Sequence, residues 1–139
     1  MSDFAKGLEG VVAGQTAVSL IHEEAGGLRY RGYALNELTE RASFGEVAFL
    51  MLNGRLPNQV ELNAFRALLK GQRYLPPPLR RVLEQLPTTS HPMDVLRTGV
   101  SVLGCLEPEG PDRNQLTIAC RLLACMPSIA SSPVIAAPQ

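Results

Sequence analysis

The stretch Ser43-Phe44-Gly45-Glu46-Val47-Ala48-Phe49-Leu50-Met51-Leu52-Asn53-Gly54 carries a helix with both of its ends marked. Ser43 is a favoured N-cap, and Glu46 follows three residues later. Each side chain can then satisfy an amide that the first helical turn leaves open. Phe44, Val47, Ala48, Leu50, Met51 and Leu52 place apolar groups around much of the circumference, which predicts a buried helix. Asn53-Gly54 closes it, because both residues tolerate the left-handed backbone of a C-terminal cap.

Toward the C-terminus the same grammar repeats. Asn58 with Glu61 opens another capping box, and Leu62, Phe65, Leu68 and Leu69 recur at helical spacing up to Gly71. Pro76-Pro77-Pro78 breaks the chain, although the last ring can open a helix that carries Leu79, Val82, Leu83 and Leu86 to Pro87. Ser90 is expected to cap the next helix, with Asp94 in its first turn and Val95, Leu96, Gly99, Val102 and Leu103 on one face. Cys105 to Pro111 reads as a loop. Asp112 or Asn114 opens a last helix through Leu116, Ile118, Ala119, Leu122, Leu123 and Met126, ended or kinked at Pro127.

Toward the N-terminus the period changes. A short helix over Leu35 to about Arg41 is preceded by a β-prone run at Thr16, Val18, Leu20 and Ile21. Ala25-Gly26-Gly27 supplies a turn, and Leu28 to Tyr33 reads as a second strand. The fold expected is mainly α: a β-hairpin over about 16–33, then about six helices over about 35–127. Residues 131–139, with two serines and two prolines, read as an irregular tail.

Composition narrows the function classes. The 139 residues hold 13 Lys and Arg against 13 Asp and Glu. A zero net charge argues against a nucleic-acid partner, which needs a surplus of cations. A free-standing domain of this length buries roughly 70% of its unfolded surface. No run approaches the ~18 apolar residues of a membrane span, so no membrane partner is expected. No signal peptide is visible. Cys105, Cys120 and Cys125 form neither an even set nor a CxxC pair, which argues against a disulfide framework or a zinc site and for reduced thiols on a buried or interfacial helix face. The expected location is a reducing one, the cytoplasm or an organelle matrix.

Reactive side chains are sparse. No phosphate-binding glycine loop and no GxSxG elbow is present. His22 beside Glu23 and Glu24 reads as a solvated acidic turn rather than a loose metal site. His91 reads as a capping or packing residue rather than a catalytic base. Arg29 and Arg31, two apart on the expected strand, would point the same way. They could clamp a carboxylate or phosphate, or bind acidic groups of a neighbouring helix or subunit, the structural role being favoured. Arg97 and Arg121 read as surface or ion-paired residues.

Several blocks together resemble a known family. Gly7-Leu8-Glu9-Gly10-Val11-Val12-Ala13-Gly14-Gln15-Thr16-Ala17-Val18-Ser19 is similar to the opening of citrate synthases and 2-methylcitrate synthases. So are Leu28-Arg29-Tyr30-Arg31-Gly32-Tyr33, Ser43 to Leu50 and Gly54-Arg55-Leu56-Pro57. His91-Pro92-Met93-Asp94-Val95-Leu96-Arg97-Thr98-Gly99-Val100-Ser101 and Arg121 to Ile129 continue the resemblance in the family's order.

The resemblance implies that residues 1–130 form the N-terminal segment of a large domain, with the family's small domain absent. It implies a Claisen-type condensation of acetyl- or propionyl-CoA with oxaloacetate, run by two histidines, an aspartate and arginines. Those groups are expected downstream of the matched blocks. No residue here is therefore assigned a catalytic, substrate-binding or metal-binding role, and no cofactor is expected beyond the acyl-CoA substrate. The chain alone is expected to be inactive, and the end after Ala130 is expected to be a truncation or departure. The alternative is an interaction module that self-associates or pairs with a full-length homologue. An unrelated small helical enzyme is the least favoured reading, because no acid–base cluster converges.

Overall fold

A computed structural model describes residues 10–11, 14–22 and 27–132. It is mainly helical, with a small antiparallel sheet followed by six helices. The chain divides into two compact units, residues 1–56 and 57–139.

In the first unit, β1 (Ser19–His22), β2 (Gly27–Tyr30) and β3 (Tyr33–Ala34) lie in the order β1-β2-β3. Ser19 pairs with Tyr30 and His22 with Gly27, so His22 is a strand residue rather than a turn residue. Glu23, Glu24, Ala25 and Gly26, which carry the expected acidic turn, lie outside the described residues.

The expected second strand over Leu28 to Tyr33 is in fact two strands. Tyr30 pairs with Tyr33 across a two-residue turn in which Arg31 has φ 48° and Gly32 φ 90°. Positive φ at both central positions matches the right-handed twist of the flanking strands, which is why such turns join hairpins.

Helices α1 (Leu35–Arg41) and α2 (Phe44–Asn53) complete this unit. The Ser43–Glu46 capping box forms as read, with the Glu46 carboxylate accepting from the Ser43 amide at 2.8 Å. Gly54 closes α2 at φ 81°. Burial is narrower than the apolar circumference implied: Ala48 and Leu50 are buried, whereas Phe44 is 73% exposed.

The second unit holds α3 (Gln59–Gly71), α4 (Pro77–Glu84), α5 (Pro92–Leu106) and α6 (Gln115–Ala130). Asn58 and Glu61 form the second capping box. Leu75, Leu79, Leu83, Val95, Leu103, Cys125 and Ile129 form the core, an aliphatic one for a chain with no Trp. Gly99 lets α6 approach α5 closely; a Cβ there would sit 2.7 Å from Ile129 Cγ2.

Three boundaries differ from the sequence expectation. His91, not Ser90, caps α5: its Nδ1 accepts from the Met93 amide at 3.2 Å. Pro92 explains the shift, since its ring favours the first helical position and pushes the residue before it into extended backbone. The expected loop from Cys105 begins later, because nothing breaks α5 before Pro108, and Glu107 N–H still donates to Leu103 O at 2.8 Å. Pro127 does not end α6, which continues to Ala130. Residues 133–139, most of the expected tail, lie outside the described residues.

Candidate functional site

The densest polar construction in the second unit is built on Arg121. Its side chain is 10% exposed, on the same stripe of α6 as Cys125 and Ile129. A guanidinium there must be paired, because a buried cation without partners is strongly disfavoured. Glu107, just past the end of α5, supplies both carboxylate oxygens. Arg121 Nη2 donates to Oε1 at 2.9 Å, and Nε donates to Oε2 at 3.1 Å. Arg113 adds a third bond to Oε2 at 2.9 Å. The remaining terminal nitrogen, Nη1, donates to Tyr74 O at 2.8 Å and also to Gln72 O.

The electrostatics follow this geometry. Hydrogen bonds from Arg121, then its charge and those of Arg113, hold the Glu107 carboxyl below the usual range against the opposing effect of burial. The same pair raises Arg121. Burial pushes the Cys120 and Cys125 thiols up, so both are poor nucleophiles. Cys105 is exposed on α5.

The other sequence candidates are engaged locally. Arg29 donates to Gly32 O at 3.1 Å, and Arg31 to Met51 O at 2.9 Å. With Arg31 in the turn, the two do not form a carboxylate clamp. Arg97 pairs with Asp94 at 2.9 Å on an exposed surface. Among the described residues, no group of three or more His, Cys, Asp or Glu is placed to hold a metal ion. No described helix is long and apolar enough to cross a membrane.

Comparison with known proteins places this architecture. A family model described as "Citrate synthase, C-terminal domain" matches residues 7–134. The chain belongs to the citrate synthase family. It is 50% identical over 133 residues to a 2-methylcitrate synthase of Shewanella oneidensis, covering 93% of this chain and 36% of that protein. It is 38% identical over 135 residues to a citrate synthase of Acidithiobacillus ferridurans, covering 91% of this chain and 35% of that one. Among solved structures, citrate synthase from Thermotoga maritima superposes with TM-score 0.76 at 31% identity, over 89% of this chain and 32% of that one. The Thermoplasma acidophilum citrate synthase, solved with carboxymethyl coenzyme A and oxaloacetate, gives TM-score 0.79 at 23% identity, a likeness of fold over 89% of this chain and 34% of its own. The chain thus spans about a third of the length of the relatives it matches.

Sequence reasoning allowed Arg121 as a surface or ion-paired residue, and it is ion-paired; its burial and its partner Glu107, which lies in what read as a loop, were missed. One signal was available: Arg121 stands four residues before Cys125 and eight before Ile129, in the middle of an apolar stripe.

Proposed function

We propose that this chain is a helical scaffold segment of a synthase that joins a short acyl-CoA, acetyl or propionyl, to oxaloacetate, giving citrate or 2-methylcitrate. It is an acyltransferase part with no condensing activity of its own and no cofactor need beyond the acyl-CoA substrate. One observation carries the reading: the chain spans 36% of a relative to which it is 50% identical. The chemistry of its charged groups agrees. Condensation needs a base at the acyl α-carbon and donors for the enolate oxygen, whereas the described arginines Arg29, Arg31 and Arg121 bind carbonyls of the chain itself. The propionyl branch is supported by the 2-methylcitrate synthase of Shewanella oneidensis at 50% identity. The intended setting is the cytoplasm, in a tricarboxylic acid or related cycle.

The test is direct. Purified chain, mixed with acetyl- or propionyl-CoA and oxaloacetate, is expected to release no free CoA above the blank. Sustained release refutes the reading.

A second reading has its own support. Phe44, Val60 and Met93, at the starts of three helices, are 73%, 78% and 63% exposed, apolar side chains that a partner could cover. It makes the chain a module that self-associates or pairs with a full-length synthase. Co-elution with a full-length 2-methylcitrate synthase is the expected result, and separate elution at micromolar concentrations contradicts it.

A further inference from the structure

One cleft of the second unit is unused by anything above. It has a volume of about 300 Å³, at the lower end of small-ligand sites, and lies between the segment around Tyr74, helix α4 and the end of α6. Leu75 and Leu83, both buried, give it an apolar floor. Two cations line it, Arg73 and Arg80. The Arg73 side chain has no hydrogen bond or ion pair among the described residues. Arg80 donates from Nε to Leu75 O at 3.1 Å and lies over the Tyr74 ring at 5.3 Å. Its two terminal nitrogens have no hydrogen-bond partner among the described residues. A guanidinium held at one edge, with the other free, presents a fork suited to an oxyanion.

The wall that carries these groups is fixed from behind. Arg121 grips the carbonyls of Gln72 and Tyr74, on either side of Arg73, and is itself held by Glu107. The ordering of that backbone is therefore complete before any ligand arrives, which favours binding. Hydroxyls come from the opposite wall, at the end of α6. Ser131 Oγ makes one long bond to Ser128 O at 3.4 Å. Ser132 lines the cleft at 7% exposure, and its Oγ is buried with no hydrogen-bond partner among the described residues. Glu84 is the opposing group, the one carboxylate among the described lining residues.

We propose that this cleft binds a small oxyanion, a dicarboxylate or a phosphate, through Arg73 and Arg80. It is a binding site separate from any condensing activity, and it stands whether or not the chain turns over. Glu84 repels any anion and so limits the affinity.

The experiment titrates the full 139-residue chain with sodium phosphate and, separately, with sodium succinate, by calorimetry at low ionic strength. Saturable single-site binding of one of them is expected, and the arm that saturates identifies the anion class. Arg73→Gln and Arg80→Gln should each weaken it on the order of tenfold. Glu84→Gln should tighten it, while Arg97→Gln, on a distant exposed pair, should leave it unchanged. Circular dichroism of each variant checks that the fold is kept, which exposed positions favour. No saturation by either anion overturns the proposal. So does saturation that is indifferent to both Arg73→Gln and Arg80→Gln, or that Glu84→Gln leaves unimproved.

Discussion

Replacing Arg121 by alanine removes four connections at once: a two-point bond to Glu107 and the donors to Gln72 O and Tyr74 O. The magnitude follows from what is left behind. Breaking a buried ion pair costs about 3–5 kcal/mol, mainly because the surviving charge stays buried and uncompensated. Glu107 here is 24% exposed and retains Arg113 at 2.9 Å, which pulls the cost toward the low end. Two backbone carbonyls then lose a charged donor, adding about 1 kcal/mol between them where water replaces it. The expected loss is therefore about 4 kcal/mol, a large part of the 5–15 kcal/mol that holds a typical domain together.

Urea unfolding followed by far-UV circular dichroism reads it, the chain having no Trp to report by fluorescence. Glu107→Leu combined with Arg121→Met should cost less than the sum of the single changes, since neither charge is stranded. A loss under about 0.5 kcal/mol for Arg121→Ala, the range of an exposed surface pair, refutes the claim that this pair fastens the second unit.

The remaining predictions concern pH, packing and thiols. Because Arg121 and Arg113 lower the folded pKa of Glu107, its contribution is full above the unfolded carboxyl value of about 4.3 and is lost as pH falls through the lower folded value; acid titration of stability should lose that component in Glu107→Gln. Gly99→Ala should destabilise by about 1–3 kcal/mol in thermal melts, since the new Cβ meets Ile129 Cγ2 at 2.7 Å, and Gly99→Ala should be milder when Ile129 is also Ala. Leu79→Ala, at a fully buried site, should cost about 2–5 kcal/mol in urea titrations, and Phe44→Ala about 0.5 kcal/mol or less. A thiol reagent should modify Cys105 quickly in the folded chain and Cys120 and Cys125 only after denaturation; equal rates for all three contradict the burial.

What could be read in advance was what the chain decides within a few residues. Ser43 with Glu46, and Asn58 with Glu61, settle two helix starts by contacts three residues apart, and both formed. The pairing of the first two strands was legible, but Leu28 to Tyr33 read as one strand, because an arginine at positive φ is uncommon and only the Tyr30–Tyr33 pairing reveals the turn at Arg31-Gly32. Ser90 lost the cap to His91 because the backbone constraint from Pro92 outweighs the intrinsic preference of serine for that position.

Arg121 belongs to a different class of problem. Its partners lie 14 residues away in Glu107 and 47 away in Tyr74, and no local preference encodes either. Its position does carry a trace, because a cation in the stripe that buries Cys125 and Ile129 must find a carboxylate or break the helix packing. Such a trace says that a partner exists without naming it. The cleft is further still from the sequence. Its walls come from Arg73, Arg80 and Ser128, and Arg121 binds the carbonyls on either side of Arg73. The least legible contact in the unit thus borders its least legible surface.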